Sequence, residues 1–573
     1  PLSASLALKN IFKVCWWWLG ALLLVVTPAW FLHSRTGFET VIMTALYACF
    51  IYCYLLYRYR SPRYLYPALL LGAMAFYSYN GGQITVVLTG VLLLVSDFPY
   101  HWANRRTGWR ALIFLGVLIL PYVRFTLQHP EAAGSQLRNL DSYWLHADLT
   151  VFQKIGMFLS EYTFGLSPQF WYAADNGRDL VRHIMKGYGH LALWTLPFLV
   201  AGLYTCIRKI RQSAYRVLLL ALLAAPVGGS ITSVGITRVL VFVVPAALVT
   251  ALGVETVWNW IPRRQRWTSA AAVGIFAAIS VFGFAMMRDA LVNGPVWYTD
   301  YELGGLQWGA RQLFGEQIPA WLARDPQLQV YVSPSWANGT ELFPQFFLTD
   351  AQSSRVQLQG VAYYLAEKHD LPADLLVVLP PEEYSQVDNN PKFVIQKVEQ
   401  ILHYPNGQPG FYFLRLAYSP NADEIFAQEH AALLRPIVET YTIDGQAVVV
   451  THPRFGAGQL SDMLDGDKFT LINAPGFNPV VLDFAFPQVR PISGLDLTTG
   501  SMDDFTVKVS LYANADAAPQ VYTQHYVNLP PDPTVKINFD QGPATINRIQ
   551  IEIQNNVDTG PGVNIHVREV QFR

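Results

Sequence analysis

Arg124-Phe-Thr-Leu-Gln-His129-Pro130 opens a polar stretch that runs through Ser135-Gln-Leu-Arg138-Asn139-Leu-Asp141. It closes on Asp175-Asn176-Gly-Arg178-Asp179-Leu-Val-Arg182-His183 and then Gly187-Tyr-Gly189-His190. Apolar runs of membrane-spanning length border it on both sides. A loop as long as 126–190, set between such runs and holding Arg, His, Asp and aromatics, has the character of a working surface rather than a connector.

The surrounding composition agrees with this. The 573 residues are 52% hydrophobic and 14% charged, and the apolar excess lies before residue 290. Beyond that point the chain has the texture of a water-soluble protein. A net charge of −1 excludes a nucleic-acid binder built on bulk charge. The four cysteines, Cys15, Cys49, Cys53 and Cys206, all fall in apolar runs, so no disulfide framework holds the second half. No Cys/His cluster has zinc-site spacing, and no residue set is read as a metal site.

A spanning helix needs about 20 mostly apolar residues. Candidates lie near 14–32, 40–57, 64–80, 83–99, 110–125, 191–207, 216–232, 238–256 and 268–287. Lys9 and Lys13 precede the first run, which is too long for a signal peptide and lacks a small-residue cleavage site after it. The loops set the orientation. Arg58, Arg60 and Arg63 share one; Arg105, Arg106 and Arg110 another; Arg208, Lys209, Arg211 and Arg216 a third; Arg263, Arg264 and Arg266 a fourth. These are alternate loops, and the positive-inside rule makes them cytoplasmic. Residues 33–39, 79–83, 126–190, 229–237 and everything after 288 then face outward, as expected of a multi-pass protein of the plasma (inner) membrane.

Polar groups at the outer membrane level are costly and mark function. The outer loops supply His33, Arg35 and Glu39, then Tyr79, Asn80 and Gln83, with Arg124 and Arg238 at the ends of spans. With the long loop they make a cationic cleft suited to a lipid-linked phosphate, because the arginine fork grips phosphate in a bidentate manner. Each group has an ordinary alternative. Arg35 and Glu39 have salt-bridge spacing, Arg238 can snorkel, His183 and His190 can be plain loop histidines, and Gly81-Gly82 can be a tight turn.

The stretch Thr27-Pro28-Ala-Trp30-Phe-Leu-His33-Ser34-Arg35-Thr-Gly37-Phe38-Glu39, with Tyr77-Ser-Tyr79, resembles bacterial membrane glycosyltransferases of the GT-C superfamily. The nearer likeness is to the protein mannosyltransferase and aminoarabinose transferase type. Asn176-Gly177-Arg178 through Arg182-His183 and Gly187-Tyr-Gly189 is similar to a segment of the same proteins, as is Ile236-Thr237-Arg238 leading to Pro245. The resemblance covers residues 10–290. It implies a multi-pass α-helical bundle that transfers a sugar from a polyprenyl-phosphate carrier to a protein, lipid or glycan acceptor outside the cytoplasm. Such bundles hold about a dozen spans, so nine here, in a chain starting at Pro1, imply further spans upstream. The family's catalytic carboxylate belongs to an outer loop that would lie there.

On this resemblance Arg35, Arg138, Arg182 and Arg238 are phosphate-side groups. Glu39 and Asp141 are the remaining candidates for the base that deprotonates the acceptor hydroxyl. His33, Tyr79, Asn80 and His183 line the pocket. The cofactor is open: a divalent ion suits the chemistry, and no ligand set indicates one. Two other functions stay open, a non-catalytic membrane scaffold or complex subunit on a degenerate bundle, and a polymer ligase or polymerase.

The expected domains are 1–289 (the bundle), 290–445 (an extracytoplasmic α/β domain) and 446–573 (a β-sandwich). In the second, 329–333, 374–379 and 410–416 read as buried strands, and 306–323, 391–402 and 421–434 as amphipathic helices. Asn338-Gly-Thr340 is a formal glycosylation sequon. In the third, short alternating strands at 480–484, 492–497, 506–511, 548–553 and 563–572 resemble a discoidin-type, galactose-binding-like jelly roll. Such folds bind glycans or proteins, or serve as spacers. Asp465 and Asp467 suit either a calcium site or a turn.

Overall fold

The structure, a computed structural model, describes the chain apart from residues 131, 148, 262–267, 298–307, 338, 373, 515–517, 540–543, 559 and 561–562. The arginine loop 263–266, the sequon residue Asn338 and the start of the expected helix 306–323 fall outside the described residues. Two compact units emerge: Pro1–Val361, Ala373–Ser385 and Gln396–Arg415 form one, and Ala362–Pro372, Gln386–Ile395 and Leu416–Arg573 the other.

The first unit begins as a helical assembly. Among the described residues five helices are long and apolar enough to cross a membrane: Glu39–Tyr59, Arg105–Gln128, Ser213–Ile231, Ile236–Trp260 and Ser269–Val292. Four of the nine expected spans are shorter or broken. The first is cut where Thr27 is extended and Pro28 starts a new helix, giving Leu19–Val25 and Pro28–His33, because proline lacks the N–H needed in a helix interior and fits its first turn. The others are Leu65–Ser78, Gln83–Ser96 and Leu196–Arg208, each 13 or 14 residues.

Close packing has a specific cause in this assembly. A Cβ on Gly202 would lie 1.9 Å from the Val249 carbonyl oxygen, and one on Gly253 would lie 1.8 Å from that of Phe198. The helices containing these glycines touch backbone to backbone, which only small residues permit. At another level Asp97, 3% exposed, accepts from Arg58 Nε at 2.8 Å and from Arg216 and Ser213. One carboxylate thereby ties three helical segments.

The unit continues into a five-stranded sheet of order β2-β1-β3-β5-β4, made by β1 (Val330–Val332), β2 (Val356–Leu358), β3 (Leu376–Leu379), β4 (Phe393–His403) and β5 (Pro409–Tyr418). The first three are parallel and β5 runs antiparallel to β3. The expected helix 391–402 is a strand. Its Val394, Ile395, Val398 and Ile401 suit a pleated surface, and the Asn406-Gly407 turn folds it back onto β5, with Gly407 at φ 88°. The expected helix 421–434 is present as Ala422–Leu433.

The second unit is dominated by two antiparallel sheets. The strands are β6 (Ile437–Ile443), β7 (Gln446–His452), β8 (Ile472–Pro475), β9 (Val480–Ile492), β10 (Gly494–Thr499), β11 (Asp504–Tyr512), β12 (Gln520–Val527), β13 (Thr534–Asn538), β14 (Ala544–Asn555) and β15 (Asn564–Phe572). One sheet has the order β12-β11-β14-β9-β7-β6 and the other β13-β10-β15-β8. Alternation builds the core: Val480, Leu482, Phe484 and Phe486 point inward from β9. The six-stranded sheet starts before residue 446. Asp444 and Gly445, at φ 48° and 77°, make a tight hairpin turn that pairs β6 with β7 across that position.

Candidate functional site

The polar stretch 126–190 folds into helices Ala132–Asn139 and Val151–Leu166, a short helix Pro168–Tyr172 and an irregular return. Thr150 and Gln153 form a capping box at the start of the second helix. That helix carries one carboxylate, Glu161. Its Oε2 accepts from the Val234 N–H at 2.8 Å, and its Oε1 pairs with Arg178 at 2.9 Å.

The return is built around Asn176. Its Oδ1 accepts from the backbone N–H groups of Arg178 at 3.0 Å and Asp179 at 3.1 Å, a local turn that Asn favours. The turn aims Asp179 inward, where its side chain is 3% exposed. Oδ2 accepts from His190 Nε2 at 2.8 Å and Asn176 Nδ2 at 2.9 Å, while Oδ1 accepts from the Ile236 N–H at 2.7 Å. The carboxylate therefore clamps both ends of the return onto the N-terminus of the apolar helix starting at Ile236, where negative charge is stabilised. Burial alone pushes the Asp179 carboxyl up. The hydrogen bond and charge of His190, with the Ile236 amide and Asn176, outweigh it and hold the pKa below the ordinary carboxylate value.

Beside this clamp stand two buried imidazoles. His33 and His183 stack with ring centroids 5.6 Å apart and 16° between planes. Phe38 packs against both, at 5.1 Å from His183 and 5.9 Å from His33. Arg182 Nε donates to His183 Nε2 at 3.3 Å. Burial, reinforced by the Arg182 charge, pushes the His183 pKa down to about 4, so that this imidazole is neutral.

Of the residues chosen from sequence, His33, His183 and Arg182 come together here. Arg238 feels the same field as His183 and donates to the Ser233 carbonyl at 2.7 Å and hydroxyl at 2.9 Å. Tyr79 hydrogen-bonds Thr237 within reach of the charges on Arg238 and Glu39. Glu39 is exposed at the first turn of its helix. Arg35 does not use its four-residue spacing to Glu39 but donates to the Phe31 carbonyl at 2.8 Å and lies 3.7 Å over the Phe31 ring. Asp141 is 88% exposed and paired with His146 at 3.0 Å. Arg138 and Asn80 are exposed. Among the described residues, Arg138, Asp141 and Asn80 make no hydrogen bond or ion pair to the clamp.

The residues that organise this region, Asp179, His190, Asn176 and Glu161, were not among those chosen. Their signals are a turn-forming Asn three residues before an Asp, and the one carboxylate of helix Val151–Leu166.

In the second unit the Asp-Gly-Asp segment makes turns. Asp465 Oδ1 accepts from the Asp467 N–H at 2.8 Å, and Asp467 Oδ1 from the Phe469 N–H at 2.9 Å. Among the described residues no group of three or more His, Cys, Asp and Glu is placed to hold a metal ion.

No family model matches the chain, and no curated protein matches it. Among solved structures it is similar to the carbohydrate-binding module CBM32 of AlyQ in complex with 4,5-unsaturated mannuronic acid (16% identity, 24% of this chain and 98% of that one, TM-score 0.19). It is also similar to the family 32 module from C. perfringens NanJ in complex with galactose (14% identity, 24% and 98%, TM-score 0.19). A third is chitosan-binding module 1 derived from a chitosanase/glucanase of Paenibacillus sp. IK-5 (12% identity, 25% and 96%, TM-score 0.17).

Proposed function

We propose that the chain is an integral-membrane glycosyltransferase that moves a sugar from a polyprenyl-phosphate donor to an acceptor outside the cytoplasm. The observation that carries this reading is the polar cluster around Asp179. It is a buried, hydrogen-bonded clamp at the end of a long apolar helix, with Arg182, Arg238 and the neutral His183 imidazole beside it. Membrane proteins keep such groups at membrane depth for binding and transport of charge. In this reading the arginines hold the leaving phosphate, since they stabilise charge that grows as the glycosyl bond breaks. The active centre lies on the outer face of a plasma membrane protein, and the second unit handles the acceptor.

A second reading has its own support. Asp179 already accepts three hydrogen bonds, and Glu161 two contacts, so neither is available as a base. Glu39 and Asp141 are exposed, and Asp141 is paired with His146. A bundle with no buried, unengaged carboxylate at this site among the described residues fits a scaffold or complex subunit that displays the sandwich.

The deciding experiment measures sugar release from radiolabelled polyprenyl-phosphate glucose, mannose and aminoarabinose by the chain in nanodiscs, beside Arg238→Ala and Arg35→Ala. Turnover that collapses in Arg238→Ala supports the transferase. A folded protein that turns over none of the donors supports the scaffold.

A further inference from the structure

The two stacked imidazoles carry an instruction about what they bind. A carbonyl oxygen only accepts, so His33 Nδ1, 2.8 Å from the Ala29 carbonyl, must hold the proton. His33 Nε2 is then a bare lone pair. A guanidinium only donates, so His183 Nε2, which receives Arg182 Nε, must be the lone pair and His183 Nδ1 the N–H. His33 is 0% and His183 8% exposed, and among the described residues neither His33 Nε2 nor His183 Nδ1 has a partner. Buried polar atoms of folded proteins are nearly always paired, so an unpaired acceptor and an unpaired donor on parallel rings call for an occupant.

The occupant must give a proton to one ring and take one from the other. A phosphate at neutral pH offers acceptors only and would face the His33 lone pair unfavourably. Hydroxyl groups do both, and the Phe38 ring beside the pair supplies the apolar surface on which a sugar ring rests. We propose that His33 and His183 recognise hydroxyls of the donor's glycosyl unit, His33 Nε2 accepting and His183 Nδ1–H donating, while the phosphate goes to the neighbouring arginines. This rests on the transferase reading above and divides its site into a neutral sugar-reading part and a cationic part.

The test is native mass spectrometry of the chain in nanodiscs, titrated with undecaprenyl phosphate and with the same lipid carrying glucose, mannose or aminoarabinose. The native chain should hold one sugar-bearing form about tenfold or more tightly than the bare lipid. His33→Phe and His183→Phe should bring that ratio to about one with bare-lipid binding unchanged, and His33→Gln, which keeps an acceptor, should recover part of it. A ratio unchanged in the Phe variants, or both lipids weakened equally, overturns the assignment.

Binding of neither lipid by the native chain overturns the transferase reading instead. The imidazole nitrogens of histidine-labelled protein then decide. Methyl glycosides that shift the His33 Nε2 and His183 Nδ1 resonances sustain hydroxyl recognition, and unmoved resonances end it.

Discussion

Replacing Asp179 by Asn keeps the shape of the side chain and removes its charge, so it isolates the clamp. The carboxylate is 3% exposed and its partner His190 2%. It accepts from Ile236 N–H at 2.7 Å, His190 Nε2 at 2.8 Å and Asn176 Nδ2 at 2.9 Å. The amide oxygen of Asn can keep the Ile236 bond. Its NH2 then faces two groups that were donating to Oδ2. One charge-assisted bond is lost, about 1.5–3 kcal/mol, and a buried donor is left unpaired at about 1–3 kcal/mol. A net local cost of about 3–4 kcal/mol follows, falling to about 2 if His190 changes tautomer to accept from the new amide. That is roughly a hundred- to a thousandfold in the local opening equilibrium, since about 1.4 kcal/mol is tenfold. Hydrogen exchange read by mass spectrometry reports this directly, whereas a melting point does not, because an assembly of this kind does not unfold in one step. Protection should fall by that factor across 176–190 and at the Ile236 amide, while β9 and β14 of the sandwich keep theirs. Less than a threefold change across 176–190 would refute the claim that Asp179 holds the return in place.

Three further expectations follow from the same geometry. Acidification should loosen the 176–190 return. The His183 pKa of about 4 lies below the ordinary 6.5, so the unfolded segment takes up the proton first. The folded return is therefore at full strength above about pH 6.5 and weakens as pH falls towards 4, by up to about 3 kcal/mol before solvent screening. Below that, protonation of Asp179, whose pKa is held under the carboxylate norm, removes the clamp as well. Exchange rates of this segment measured from pH 8 to 4 check the sign. Gly253→Ala should separate helices Leu196–Arg208 and Val243–Trp260, since the added Cβ would sit 1.8 Å from the Phe198 oxygen. Faster thermal inactivation in detergent is the readout, with Gly274→Ala, which meets nothing within 4 Å, as the silent control. Asp97→Asn should leave Arg58 and Arg216 facing each other without their shared carboxylate. Breaking a buried pair costs about 3–5 kcal/mol and these arginines are partly exposed, so about 2–3 kcal/mol is expected, read as a raised unfolding rate.

The strands of the sandwich were legible because alternation with a period of two survives in the bare sequence, as in Val480-Val-Leu-Asp-Phe484. Five strands of the same sheets, β6, β7, β8, β12 and β13, escape that pattern for different reasons. Ile472–Pro475 is short, Gln520–Val527 places Gln520 and Gln524 on its half-buried face and valines on its exposed one, and Thr534–Asn538 follows a run of prolines. Ile437–Ile443 and Gln446–His452 flank the Asp444-Gly445 hairpin turn, where the expected domain boundary falls. In sequence, 393–403 has the look of a helix, because its apolar residues satisfy both periods over so short a window. Only the Asn406-Gly407 turn, a long-range cue about pairing, separates the two.

The spans and the site illustrate opposite limits of hydropathy. Composition marks Leu65–Ser78 and Leu196–Arg208 as strongly as Ser269–Val292, yet the first two are short and the last runs for 24 residues. Apolar character says that a segment avoids water, and helix length is decided by breakers and neighbours such as Pro28 and the Gly202–Val249 contact. In the polar loop the bias ran the other way. Charge is easy to see in a sequence, so Arg138 and Asp141 stand out there, yet both lie at the surface. What holds the loop is a carboxylate whose partners lie 3, 11 and 57 residues away along the chain. No local pattern encodes the last of these. A buried Asp next to an Asn turn should therefore be weighed above an exposed cation whenever an outer loop returns to the start of a span, because only the buried group must find partners for the fold to exist.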